Sequence, residues 1–229
     1  MKKIAILQSN YIPWKGYFDI IRRSDVFVIY DEVQYTKNDW RNRNLIKTNN
    51  GTQWITIPVS QKNLSQKINE TTISQYNWNV KHWNTLLANY GKAPFFKEFG
   101  PLFKELYLSI GTNLLSEINL KFIRLINQIL EIKTEIIDST TLNLQGDTNE
   151  KLIECVTQLG GSHYISGPAA KNYIDLDAFA AKNIEVEWMD YSGYPEYSQQ
   201  HPPFVHGVSV LDLIFNEGKN SKNKLIKIR

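Results

Sequence analysis

Residues 3–31 read KIAILQSNYIPWKGYFDIIRRSDVFVIYD, and the order of apolar runs in this stretch sets the fold class. In KIAILQ (3–8), Ile4, Ile6 and Leu7 form a continuous apolar run, as in a strand covered on both faces. The polar loop SNYIPWKGY follows, punctuated by Pro13 and Gly16. YFDIIRRS then spaces Phe18 and Ile21 three apart and Tyr17 and Ile21 four apart, which predicts a short helix. DVFVIYD (25–31) is a second run of β-branched and aromatic residues, again a buried strand. Strand, loop, helix and strand open a parallel α/β unit. Segments 3–8 and 25–31 are therefore expected side by side and parallel.

Working outward, QWITIPV (53–59) alternates like a third strand. From Asn77 to about Tyr107 the pattern is helical, interrupted at Gly91 and Pro94. NLLSEINLKFIRLINQILEI (113–132) keeps a 3.6-residue period through Leu115, Ile118, Phe122, Ile126 and Ile129. TEIIDST reads as a strand. TNEKLIECVTQLG (148–160) reads as a helix, with Thr148 as N-cap and Gly160–Gly161 at its end. HYISG is a strand, DLDAFAAKN a helix, IEVEWMDY a strand and VSVLDLIFNEG a last helix. The basic tail beyond is expected to fray. The whole predicts a single α/β domain over residues 1–229, with a helical insertion or subdomain near 77–132.

A chain of 229 residues buries a core without disulfide or metal staples. Its 26 basic and 23 acidic residues leave a net charge of +3, which argues against a general DNA binder. The single cysteine, Cys155, allows no internal disulfide and fits a reducing cytoplasm. Cys155 lies between Ile153 and Val156 in the helical pattern and reads as packing rather than a nucleophile. The apolar run after the first lysines is about five residues, too short for a secretory core. No stretch approaches the roughly 20 apolar residues of a membrane span. A soluble, cytoplasmic protein is expected.

Ligands of open parallel sheets bind beyond the carboxyl ends of the strands. Two polar loops leave such ends: Gln8–Tyr17 and Asp31–Asn44. The second contains YTKNDWRNRN (35–44), which offers Lys37, Arg41 and Arg43 to an anion and Trp40 to a base or sugar. The plain alternative is a solvated basic turn. Asp31 and Gln34 are candidates to orient a sugar hydroxyl or an amine, with a strand-end cap as the alternative for Asp31. Asn10 and Tyr11 are expected to face them from the first loop. The turn Ser166-Gly167-Pro168, with Lys171 after it, forms a third candidate anion contact. Four histidines are present: His82, His163, His201 and His206. HPPFVHG holds two of them without an acidic or Cys partner, so no metal site is predicted. Asp31 and His206 are the candidate bases. No G-x-S-x-G, Walker loop, G-x-G-x-x-G or H-E-x-x-H occurs.

ILQSNYIPWKGYFDII, YDEVQYTKNDWRNRN, YISGPAAKNYI and VSVLDLIFNEG, in that order along nearly the whole chain, resemble the WbqC-like protein family. That family is linked to bacterial O-antigen gene clusters, and a glycine or other acyl transferase role on an amino sugar has been suggested for it. The resemblance implies synthesis of surface-polysaccharide or lipopolysaccharide precursors. The opening strand, PWKGY, helix and strand are also laid out like the nucleotidylyltransferase-type, Rossmann-like fold of pantothenate synthetase. There a His-x-Gly-His pair binds ATP phosphates. Here Trp14 and Tyr17 stand at the histidine positions and only Gly16 is kept, which argues against ATP-driven adenylation at that motif.

Three functions compete. The first is an N-acyl, aminoacyl or glycyl transferase on a nucleotide-linked amino sugar, a dTDP-sugar being favoured. Its acyl donor could arrive on tRNA, on CoA or as an ATP-derived adenylate, and the sequence leaves the cofactor open. The second is a non-catalytic nucleotide-sugar-binding or scaffold protein of the same pathway. The third is a nucleotidylyltransferase.

Overall fold

The computed structural model describes residues 1–226. The chain runs β1 (Lys3–Leu7), α1 (Lys15–Arg23), β2 (Val26–Ile29), β3 (Arg43–Thr48), β4 (Gly51–Thr56), β5 (Val59–Ser60), β6 (Thr72–Ile73), then three helices, α2 (Trp78–Tyr90), α3 (Phe96–Leu108) and α4 (Leu115–Ile129). It continues through β7 (Glu135–Asp138), α5 (Thr148–Gln158), β8 (His163–Ser166), α6 (Leu176–Ala181), β9 (Glu185–Trp188) and α7 (Val210–Glu217). Five strands form one parallel sheet in the order β7-β2-β1-β8-β9. Ile4 pairs with Val26 and Leu7 with Ile29, so the two opening strands are parallel neighbours, as their apolar runs predict.

Helices cover both faces, which is why these strands carry no polar alternation. Ala5, Phe27, Ile29 and Ile165 face the larger core, with α1, α4 and α7. Ile4, Ile6, Val26 and Val28 face a smaller core with Leu152 and Val156 of α5 and Phe179 of α6. This is a doubly wound, Rossmann-like α/β fold.

Three local expectations are corrected. Segment 53–59 contributes the fourth strand in the chain rather than the third: β4 pairs antiparallel with β3 in a separate hairpin. Thr52, Trp54 and Thr56 are exposed while Ile55 is buried, and a strand wet on one face suits an antiparallel ribbon. The N-cap of α5 is Asp147, not Thr148. Its carboxylate accepts from the Glu150 amide at 2.9 Å, and Glu150 accepts from the Asp147 amide at 2.7 Å, a reciprocal capping box. The tail is ordered over Gly218–Leu225 as 3-10 turns. Leu225 is buried in the larger core, which gives that segment an apolar anchor. Tail residues 227–229 lie outside the described residues.

Candidate functional site

The loops after β1 and β2 are clamped together at the carboxyl edge of the sheet. The Tyr11 amide donates to the Trp40 carbonyl at 3.0 Å. Asn44 donates through Nδ2 to the carbonyls of Tyr11 (3.1 Å) and Ile12 (3.0 Å). Ile12 has φ of 36°, a costly conformation for a β-branched residue, and Asn44 holds it there. Asp31 is buried behind this clamp. Its Oδ1 accepts from the Ser9 amide at 2.7 Å, and its Oδ2 accepts from the Ser116 hydroxyl. Burial pushes its carboxyl above the ordinary range, opposed by the bonds from Ser116 and Ser9. Asn119 completes the network, donating to Ser9 Oγ at 3.0 Å and to the Arg41 carbonyl at 2.9 Å.

A cleft of about 360 Å³ opens in front of the clamp, lined by Asn10, Pro13, Trp14, Trp40, Asn44 and Gly207. The Trp14 indole packs against Gly16, so close that a β-carbon there would collide with the ring. This close approach explains the glycine in PWKGY. Arg41 reaches the cleft wall through Asn10. Its Nη1 donates to Asn10 Oδ1, and its Nη2 lies 3.5 Å from Asp39. Arg43 turns elsewhere. As the first residue of β3 it is diagonal to Trp54 across the hairpin, a spacing long side chains bridge. Its guanidinium sits 4.1 Å from the Trp54 ring centre and donates to the Asn38 carbonyl. Lys37 is exposed. Gln34 is exposed too, and donates to the Leu64 carbonyl at 2.6 Å.

Beside this cleft the loop between β9 and α7 is held down by buried charges. Lys15 is almost wholly buried and donates to the Pro195 carbonyl at 3.3 Å. The rings of Tyr194, Tyr197 and Phe204 surround its ammonium at 5.3–5.5 Å. Burial, aided by the charge of Lys224, brings its pKa down to about 8. Lys47 donates to the Pro203 carbonyl at 2.6 Å. Asp212 accepts from Tyr197 Oη at 2.6 Å and Gln199 Nε2 at 2.9 Å. His206 lies in this loop next to the cleft-lining Gly207. It is exposed, its ring 4.6 Å from Phe204. Partial burial and the charge of Lys15 lower its pKa below the ordinary imidazole value.

The sequence matches the WbqC-like protein family over residues 8–224. This chain belongs to that family. It is 44% identical over 226 residues to the uncharacterized protein Rv1507c of Mycobacterium tuberculosis (strain ATCC 25618 / H37Rv), with 98% of each chain covered. No solved structure matches it.

In this WbqC-like protein the four motif stretches do distinct work. The first two build the clamp and the Trp14–Trp40 cleft, and the last supplies Asp212 and the N-cap Ser209 of α7. The third, around Ser166, lies across the sheet. Ser166 is buried, donates to Tyr164 Oη at 3.2 Å and lines a different cleft. Lys171 lies 5.7 Å from the Trp188 ring and lines neither. Tyr11, expected at the surface of the site, is fully buried. Its hydroxyl bonds His82 Nδ1 at 2.8 Å and Tyr107 Oη at 2.5 Å. Cys155 is buried, and burial pushes its thiol up to about 12. Sequence reasoning missed Lys15, Asn44, Lys47 and Asp212. The signal available was a charged or amide residue amid apolar neighbours, as in LDLIF. Among the described residues no cluster of three or more His, Cys, Asp or Glu is placed to hold a metal, and no helix is long and apolar enough to cross a membrane.

Proposed function

We propose that this protein is an N-acyl or aminoacyl transferase, with glycine a candidate acyl group, acting on the amine of a nucleotide-linked amino sugar in surface-polysaccharide synthesis. The observation that carries this reading is the cleft bounded by Trp14, Trp40 and Asn10, with the Arg41 guanidinium fixed behind Asn10. Two indoles offer stacking surface to a base or sugar. Arg41 and the exposed Lys37 supply charge for a diphosphate.

In the transfer, the amine lone pair forms a C–N bond to the acyl carbonyl carbon. The bond from that carbon to the donor's leaving heteroatom breaks, and the ammonium proton passes to His206. An imidazole with a lowered pKa is neutral, and able to take that proton, at physiological pH. Asp31 has both oxygens occupied, and in this reading it positions the loop after β1 rather than taking the proton. Membership of the WbqC-like family supports, through the resemblance drawn above, the choice of pathway.

Mass spectrometry of a dTDP-amino sugar incubated with the protein, glycine, ATP and charged donors tests the proposal. The expected result is the mass gain of one acyl group on the sugar. Tight nucleotide-sugar binding with no acylated product from any donor would leave a binding protein of the same pathway.

A further inference from the structure

Counting only the parallel strands in chain order, the sheet reads 3-2-1-4-5. The connection after β1 runs to β2 on one side and the connection after its neighbour β8 runs to β9 on the other, and the crevice at such a reversal is where open α/β sheets bind ligands. A second cleft, of about 470 Å³, occupies this position. Gln8 from the end of β1 and Ser166 and Gly167 from the end of β8 line it, and Tyr30, Tyr173 and Ala169 add aromatic and small apolar surface.

We propose that this switch-point cleft is a second substrate site, which takes the nucleoside monophosphate moiety of the acyl donor while the Trp14–Trp40 cleft takes the nucleotide sugar. The donor assignment rests on the transferase reading above; the binding itself does not. Gln8 and Asn10 lie two positions apart and line different clefts. Two ligands would therefore sit on opposite sides of one short loop, and a transfer between them needs their reacting ends to meet past it.

The lining sets the ligand class. None of the described residues lining this cleft carries a charge at neutral pH, so a polyphosphate chain finds no cation there, and a single phosphate would meet only neutral groups such as Thr148 and the Ser166–Gly167 turn. The loop after β1 reads Gln8-Ser9-Asn10 rather than a glycine fingerprint, so a pyrophosphate could not approach that backbone as it does in dinucleotide sites. Tyrosine rings and small residues suit a stacked nucleoside. Tyr173 is half exposed at the site. Its wall is fixed to the start of α5, where Asn149 donates to the Tyr173 carbonyl at 3.0 Å and accepts from the Asp175 amide at 3.0 Å. Glu32 follows β2 between the lining residues Tyr30 and Val33, but it does not line the cleft, and its Oε2 accepts from Ser139 Oγ at 2.8 Å.

The test is titration calorimetry of AMP, UMP and dTMP against the full chain and three variants. Ala169→Trp fills the cleft from an exposed position, Tyr173→Ala removes its exposed ring, and Trp40→Ala alters the other cleft. At least one monophosphate should bind the wild type. Its affinity should fall by roughly tenfold or more in A169W and Y173A and stay within about twofold in W40A. Melting curves verify folding. No monophosphate binding at millimolar concentration, loss in W40A, or no loss in both A169W and Y173A would overturn the assignment. A parallel titration with a dTDP-sugar should show the reverse pattern. Failure of that arm alone removes the Trp14–Trp40 assignment and leaves the second cleft standing.

Discussion

Arg41 and Asn10 are joined side chain to side chain across the carboxyl edge of the sheet, the guanidinium donating to the amide oxygen. The pair locks a cation from the loop after β2 onto the wall formed by the loop after β1. It also separates two arginines that look equivalent in WRNRN, since Arg43 lies on the Trp54 ring of the hairpin instead.

Arg41→Lys keeps the charge and loses the planar fork. A charge-assisted hydrogen bond contributes roughly 1.5–3 kcal/mol, so nucleotide-sugar affinity should fall about 10- to 100-fold by calorimetry. Arg43→Lys should leave affinity within about twofold and lower stability by about 0.5–1 kcal/mol through the lost stacking. Equal affinity losses in the two variants would place Arg43 in the cleft after all.

Gly16→Ala adds a methyl group where the Trp14 indole lies. Alanine favours a helix by about 1 kcal/mol over glycine, so the fold should persist while the ring is pushed off its seat. Expected are a shifted tryptophan fluorescence spectrum and a loss of nucleotide-sugar affinity of roughly tenfold. Undiminished affinity would mean that the position of Trp14 does not matter to binding.

Burial of His82 between Tyr11, Trp78 and Tyr107 lowers its pKa from 6.5 to about 4. The folded state therefore resists protonation that the unfolded chain accepts. Its contribution to stability is complete above pH 6.5 and is lost as the pH falls toward 4, by about 3 kcal/mol in all. Denaturant titrations at stepped pH should show this decline in the wild type, and a shallower one in His82→Phe. Identical slopes would remove His82 as the cause.

Asp31→Asn and His206→Ala separate scaffold from chemistry. Asparagine at 31 turns an NH₂ group toward one of two donors, at a cost of about 1–3 kcal/mol of stability, with turnover per folded molecule retained. His206→Ala should lower kcat far more than it weakens substrate binding. Because the His206 pKa is lowered, the basic form survives to lower pH, and wild-type activity should persist below the pH at which a free imidazole is half protonated. Abolished turnover in folded Asp31→Asn would return the role of base to Asp31.

Strand and helix assignments were legible in the residues because periodicity records how many faces of a segment are covered. The unbroken apolar runs at 3–8 and 25–31 place both strands inside a parallel sheet, and the 3.6-residue repeat of 113–132 forms α4 (Leu115–Ile129). The alternation of 53–59 carried the same kind of information, since exposed Trp54 marks a strand wet on one side. Convergence of side chains was a different matter. Asn10 and Arg41 meet, Tyr11 and Asp31 turn inward, Arg43 stacks on the hairpin, and Ser166 opens onto a second cleft. Several of these outcomes depend on distant partners: Ser9 lies 22 positions from Asp31, Asn10 lies 31 from Arg41, and Asn119 lies 110 from Ser9. Local pattern reports whether a residue sits beside water or core. Strand order and packing of distant helices settle which polar group it meets there, because a hydrogen bond or ion pair needs two groups brought together in space and periodicity describes only one.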